Sequence, residues 1–90
     1  MTRPKIVHSA STDPFFNHAF EESLLRDTAP SAPLLFTCTN GPGVVVGRNQ
    51  VPWRECDLRN LNDSGLLLSR RLTGGGTVYQ DLGNANFGII

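Results

Sequence analysis

Apolar residues along this chain come in short runs separated by small and polar ones, and the spacing of each run predicts its element. Ile6 and Val7, within Lys5 to Ser9, predict a short opening strand. Asp13-Pro14 then predicts a helix start, with a carboxylate at the N-cap and proline at the first helical position. Phe15, Phe16, Ala19, Phe20, Leu24 and Leu25 recur at helical spacing through about Arg26, so they predict an apolar stripe. Asn17, Glu21, Glu22 and Asp27 fall on the remaining positions. Thr28 to Pro33 reads as a loop. Leu34 to Thr39 and the β-branched run Val44-Val45-Val46 predict two buried strands, which the turn Asn40-Gly41-Pro42-Gly43 would join as a hairpin.

Pro52-Trp53 opens a new segment, and Asp57, Leu58 and Leu61 predict a short helix that exits through Asn62 to Gly65. Leu66 to Leu68 predicts a strand leading to Arg70 and Arg71. Thr77 to Gln80 and Phe87 to Ile90 predict two more, joined by the polar turn Asp81 to Ala85. Strands alternating with a few helices indicate an α/β or α+β fold with a mixed sheet flanked by helices. The pattern stops in mid-run at the apolar Phe87-Gly88-Ile89-Ile90. This is expected of a cut through a larger domain, and such an uncovered strand should leave residues 1–90 alone poorly folded.

Composition narrows the picture. Ninety residues allow one domain with a marginal core. Eight basic residues balance eight acidic ones, which argues against a general nucleic-acid or membrane-surface binder. No stretch approaches the roughly 20 apolar residues of a membrane span, and the first residues lack the apolar segment of a secretory signal. Cys38 and Cys56 lack metal-ligand spacing and read as reduced, buried or half-buried thiols. No metal site is indicated.

Chemistry concentrates in Arg70-Arg71-Leu72-Thr73-Gly74-Gly75-Gly76-Thr77-Val78-Tyr79-Gln80. Three glycines permit φ > 0 and let a ligand approach bare peptide groups. Successive N–H groups beside a guanidinium suit phosphate or carboxylate. A flexible hairpin turn would also explain the glycines. Neither a Walker loop nor a dinucleotide fingerprint fits, since no Gly-Lys-Ser/Thr and no helix follows. Strand alternation sends Arg70 and Arg71 to opposite faces, so at most one of them points into a site and the other is a surface residue. Arg48 is either a pocket wall or a surface charge, and Trp53 reads as a core or lid anchor.

Two longer motifs carry a family likeness. Val44 to Asp57, with Gly47-Arg48-Asn49-Gln50 and Pro52-Trp53-Arg54-Glu55-Cys56, and Arg70 to Asn84 resemble the lipoate–protein ligase A family. Ser11-Thr12-Asp13-Pro14-Phe15-Phe16-Asn17, leading to Phe20-Glu21-Glu22, resembles the start of its catalytic domain. The likeness implies a biotinyl/lipoyl protein ligase fold, with residues 1–90 as the amino-terminal part of a single catalytic domain, incomplete at the C-terminus.

It further implies ATP-dependent activation of lipoate to lipoyl-AMP, with Mg2+ accompanying ATP, and transfer to a lysine. The implied acceptors are lipoyl-domain proteins of 2-oxoacid dehydrogenase complexes and the glycine cleavage H protein, with no nucleic acid or membrane partner. The compartment implied is cytoplasmic in a bacterium and mitochondrial in a eukaryote. By motif match Arg71 holds the adenylate phosphate or the lipoyl carboxyl end, Gly74, Gly75 and Gly76 admit the ligand to the backbone, and Gly76, Thr77, Val78 and Tyr79 line the nucleotide. Thr73 and Asn84 supply polar contacts at the mixed anhydride, and Gln80 stands where the family commonly has histidine. The family's activating lysine lies downstream of Ile90, and Lys5, the single lysine here, does not replace it. The chain alone is therefore expected to be inactive. The alternatives are a lipoyl or octanoyl transferase relative without the activation step, and a non-catalytic binding fragment.

Overall fold

A computed structural model describes residues 5–27 and 33–90. The loop expected over Thr28 to Pro33 falls almost wholly outside the described residues. The elements are β1 (Lys5–His8), α1 (Pro14–Asp27), β2 (Leu34–Cys38), β3 (Gly43–Val46), α2 (Pro52–Glu55), α3 (Leu58–Asp63), β4 (Leu67–Arg70), β5 (Val78–Gln80) and β6 (Asn86–Ile89). The strands form two three-stranded mixed sheets, ordered β1-β2-β6 and β4-β3-β5. The α/β reading, with a mixed sheet and flanking helices, is what the structure shows.

The expected hairpin does not form. β2 pairs parallel with β1 and antiparallel with β6, whereas β3 pairs parallel with β4 and antiparallel with β5. Both strands are central, each with its partners already taken. The connection between them is also pinned elsewhere: the Gly41 N–H donates to the Thr12 carbonyl at 2.8 Å, and Asn40 is buried. At Gly43, a Cβ would lie 2.5 Å from the Leu67 carbonyl oxygen, so a bare backbone is what lets β3 approach β4.

Local signals at the helix ends hold as expected. Asp13 caps α1, its Oδ1 accepting from the Phe15 N–H at 2.9 Å. Asp57 caps α3 by accepting from the Asn60 N–H, and Gly65 leaves that helix at φ +69°. The core centres on Leu34, Phe36 and Cys38 of β2, with Phe20 and Leu24 of α1, Val7 and Ile90 packed around them. The Phe20 and Phe36 rings lie 5.4 Å apart, centroid to centroid.

The face that α1 buries differs from the apolar stripe. Pro14 and Asn17 are buried and His18, Phe20, Glu21 and Leu24 half-buried, while Phe15, Phe16 and Leu25 are exposed. At 100° per residue, Asn17 and Glu21 sit inside the buried arc between Leu24 and Pro14. The helix faces both a hydrophobic sheet and a polar cleft, so hydrophobicity alone misplaces its inner side. Trp53 is 72% exposed and anchors no core here. Cys38 is buried, Cys56 half-buried, and both are free thiols, in line with the sequence reading. Among the described residues, no helix is long and apolar enough to cross a membrane.

Candidate functional site

The two arginines at the end of β4 grip different turns. Arg70 aims Nη1 at the carbonyls of Gly47, Arg48 and Gln50, at 3.0, 2.9 and 2.7 Å, and so ties down the turn after β3. Arg71 turns toward the glycine loop. Its Nε and Nη2 donate to the Gly74 carbonyl at 3.2 and 2.8 Å, and Nη2 also donates to the Gly76 carbonyl at 2.6 Å. Its Nη1 has a long 3.5 Å contact with the Val45 carbonyl. The guanidinium thus organises the loop through one edge.

The three glycines serve different ends. Gly75 has φ +99°, and a Cβ there would meet Arg71 Nη2 at 2.9 Å. Gly74 and Gly76 lack positive φ, and a Cβ on either would meet nothing within 4 Å. Gly47 admits the loop from the other side, since a Cβ there would sit 2.2 Å from the Gly75 carbonyl oxygen. Gln50 completes the attachment: its Oε1 accepts from the Gly47 N–H and from the Thr77 hydroxyl, each at 2.8 Å.

Arg71 separates two concavities. A cleft of about 230 Å³ lies between the sheets, lined by α1, β2, β3, β5 and β6 together with Arg71 and Thr73. A second, more open groove of about 340 Å³ has Arg48, Arg70 and Arg71 along it, facing Phe15, His18 and Glu22 of α1. Arg48 lies along this open groove and is exposed to solvent, so both of its sequence readings describe it.

Of the residues singled out from sequence, Arg71, Thr73 and Gln80 line the cleft. Gly74, Gly75 and Gly76 form the loop held against Arg71. Thr77 points to Gln50, while Val78 and Tyr79 lie largely exposed on β5. Asn84 sits in the turn between β5 and β6, where its Oδ1 accepts from the Asp81 N–H at 3.0 Å.

Sequence reasoning missed a set of polar side chains that the fold brings to the cleft: Asn17, His18, Glu21, Asn40 and Asn86. Asn17 and Glu21 fall outside the apolar stripe that the sequence predicts for this helix. The discernible signal is that Asn17 and Glu21 share a helical face with Pro14 and Leu24. Asn17 and Asn40 are 1% and 3% exposed, so their hydrogen bonds must be made internally. Asn17 Nδ2 donates to Asn40 Oδ1 at 2.8 Å, Asn40 Nδ2 to Gln80 Oε1 at 2.8 Å, and Gln80 Nε2 to Asn86 Oδ1 at 3.0 Å. Among the described residues no buried side-chain polar atom lacks a partner.

Burial shifts three titratable groups that line the cleft. Burial, aided by the nearby Arg71 charge, lowers the His18 pKa, and His18 Nε2 lies 3.1 Å from the Ser69 hydroxyl. Burial raises the Glu21 pKa. Burial and the Glu21 charge raise that of Cys38, which makes it a poor nucleophile. Among the described residues no three acidic, histidine or cysteine side chains cluster as metal ligands. What the cleft offers is amide hydrogen bonding, the Arg71 guanidinium, the His18 and Glu21 side chains, and an apolar floor of Phe36 and Val45.

Residues 13–90 match the family model of the lipoyl protein ligase A/B catalytic domain. P. falciparum LipL1, solved in complex with lipoate, is 34% identical and superposes with a TM-score of 0.91, over 97% of this chain and 30% of that one. A lipoate-protein ligase A bound with ATP is 32% identical at a TM-score of 0.85, over 97% and 35% of the two chains. A bi-partite lipoate protein ligase from Thermoplasma acidophilum, described with its E2 lipoyl domain, is 32% identical at 0.84, over 97% and 34%. This chain spans about a third of the length of each of these relatives. The matched segment includes α1, the glycine loop and every wall of the cleft, so the chain belongs to the lipoyl protein ligase A/B catalytic-domain family.

Proposed function

We propose that residues 1–90 form the amino-terminal part of a single catalytic domain that activates lipoate with ATP to lipoyl-AMP. The lipoyl group then passes to a lysine of lipoyl-domain proteins, namely 2-oxoacid dehydrogenase subunits and the glycine cleavage H protein. The observation that carries this reading is the placement of Arg71 between the inter-sheet cleft and a glycine loop whose Gly74 and Gly76 face open space. Relatives solved with lipoate and with ATP support it. The T. acidophilum ligase and its E2 lipoyl domain support the class of acceptor.

In this reading the acyl chain lies over Phe36 and Val45 in the cleft. Arg71 keeps Nε and Nη2 on the loop and offers Nη1, its loosely engaged edge, to the lipoyl carboxyl end or the adenylate phosphate. Gly74, Gly75 and Gly76 let the ligand lie against the backbone. Thr77, Val78 and Tyr79 border the nucleotide, and Thr73 and Asn84 contact the mixed anhydride. A donor array fixed before the reaction lowers the cost of the charge that builds on phosphate and carboxylate. Mg2+ arrives with the ATP phosphates. The activating lysine lies beyond Ile90, so no catalytic residue is assigned within this chain. The reading places the enzyme in the cytoplasm of a bacterium or the mitochondrion of a eukaryote.

The test gives the complete enzyme carrying this sequence lipoate, ATP and an apo lipoyl domain. Pyrophosphate release, lipoyl-AMP and a lipoyl mass increment on the acceptor lysine are expected. An enzyme that modifies the acceptor from a preformed acyl donor but never from free lipoate and ATP is a transferase, and the activation step is then wrong.

A further inference from the structure

Two buried and two half-buried amides of the cleft form a chain that runs in one direction as far as Gln80 and closes in a reciprocal pair with Asn86. The Ser9 hydroxyl donates to Asn17 Oδ1, Asn17 Nδ2 to Asn40 Oδ1, Asn40 Nδ2 to Gln80 Oε1, and Gln80 Nε2 to Asn86 Oδ1. The chain crosses from the end of β1 through α1 and the β2–β3 connection to β5, and returns to β6 in the first sheet. An amide has a donor end and an acceptor end, so a single amide could face either way.

Here the direction is set by the peptide groups of Ser11. Its carbonyl can only accept, and it takes Asn17 Nδ2 at 3.0 Å. Its N–H can only donate, and it gives to Ser9 Oγ at 3.2 Å, which turns the Ser9 proton toward Asn17. Each later amide must then show its oxygen to the one before. At the far end Gln80 Oε1 is occupied twice, by Asn40 Nδ2 at 2.8 Å and Asn86 Nδ2 at 3.3 Å. Asn17 Nδ2 spends both protons, on Ser11 and Asn40, whereas Gln80 Nε2 and Asn86 Nδ2 each spend one on the other residue, which leaves each with a second.

We infer that Asn17 and Asn40 are positioning residues that lock Gln80 and Asn86 with amide protons, and not oxygens, turned to the cleft, so that the site selects a ligand head of oxygen acceptors. The head is a carboxylate, or the acyl carbonyl it becomes. This rests on the proposed ligase reading and assigns its acyl-end specificity to residues that no motif marks. Gln80 suits this place, because its amide accepts from Asn40 and donates onward at once.

Two measurements on the complete enzyme test it. In the wild type labelled with 15N, adding lipoate should shift the side-chain amide protons of Gln80 and Asn86 and slow their exchange. The absence of both the shift and the protection overturns the inference. In steady state, Asn40→Asp reverses the chain, because an acceptor facing Gln80 forces its amide to turn. Asn40→Leu cuts the chain without adding charge. Both should raise the KM for lipoate about tenfold, the scale of one lost hydrogen bond to a charged group, and leave the KM for ATP within twofold. Equal rises for both substrates, or an unchanged lipoate KM, would show a merely structural chain. A wild type that makes no lipoyl-AMP but still shows the lipoate-dependent shifts sinks the ligase reading and keeps this one.

Discussion

At the scale of single residues, neighbours in sequence have separate tasks. Arg70 holds three carbonyls of one turn and Arg71 two carbonyls of another, but Arg71 alone of the pair reaches the inter-sheet cleft. Arg71→Ala in the complete enzyme is expected to lower lipoyl-adenylate formation at least a hundredfold. Arg70→Ala should act mainly on stability, by about 1 kcal/mol given its exposure. Measuring both properties in both variants decides between them, and a larger activity loss in the Arg70 variant reverses the assignment. The glycines divide in the same way. Gly75→Ala should cost roughly 1–3 kcal/mol of stability, because φ +99° and the Arg71 contact leave no room for a side chain. Gly74→Ala and Gly76→Ala enter open space and should barely change stability. Reduced nucleotide affinity in those two variants would come from crowding the ligand, and full affinity would remove them from the site.

At the scale of elements, α1 joins the core to the cleft and carries its most distinctive electrostatics. The lowered pKa of His18 has a signed consequence. Its ordinary value is 6.5, so above that both the folded and unfolded chains hold it neutral and no penalty arises. As pH falls below 6.5 the unfolded chain takes the proton first, and stability drops until the folded pKa is reached. The midpoint of thermal unfolding should therefore decline as pH falls below about 6.5. His18→Gln should flatten that part of the profile, and an unchanged slope would clear His18 of the effect. The cap of the same helix is a separate handle. Asp13→Ala removes the acceptor for the Phe15 N–H and should cost about 1 kcal/mol, read from denaturant midpoints.

At the scale of the whole molecule, the described core is small and one sheet face lies bare. Leu34, Phe36, Cys38, Val45 and Val46 are the buried apolar residues among those described. On the other face of the first sheet, Ile6 and Ile89 flank Leu35 in register, with Phe87 one rung away; Ile6, Phe87 and Ile89 are each more than 70% exposed. β6 also forms an edge of its sheet. Exposed apolar edges pair with one another, so residues 1–90 on their own should self-associate with rising concentration. Phe87→Lys with Ile89→Lys should suppress this in sedimentation, and a wild-type chain that stays monomeric would show that the bare face is harmless.

Local chemistry was enough to place most elements. Asp13-Pro14 and Asp57 start their helices, Gly65 ends one, and β-branched or alternating runs mark the strands, because caps and turns depend on neighbours a few residues away. The glycine loop and its arginines were legible for the same reason, as was the family likeness they carry. Tertiary structure alone decided three things. It split β2 and β3 between two sheets, since strand pairing depends on which distant partners compete for each edge. It chose the buried side of α1, since a helix facing a polar cleft need not bury its most apolar residues. And it drew Asn17, Asn40, Gln80 and Asn86 into one hydrogen-bonded chain, because a hydrogen bond between side chains 23 or 40 residues apart exists only once the backbone has closed around it.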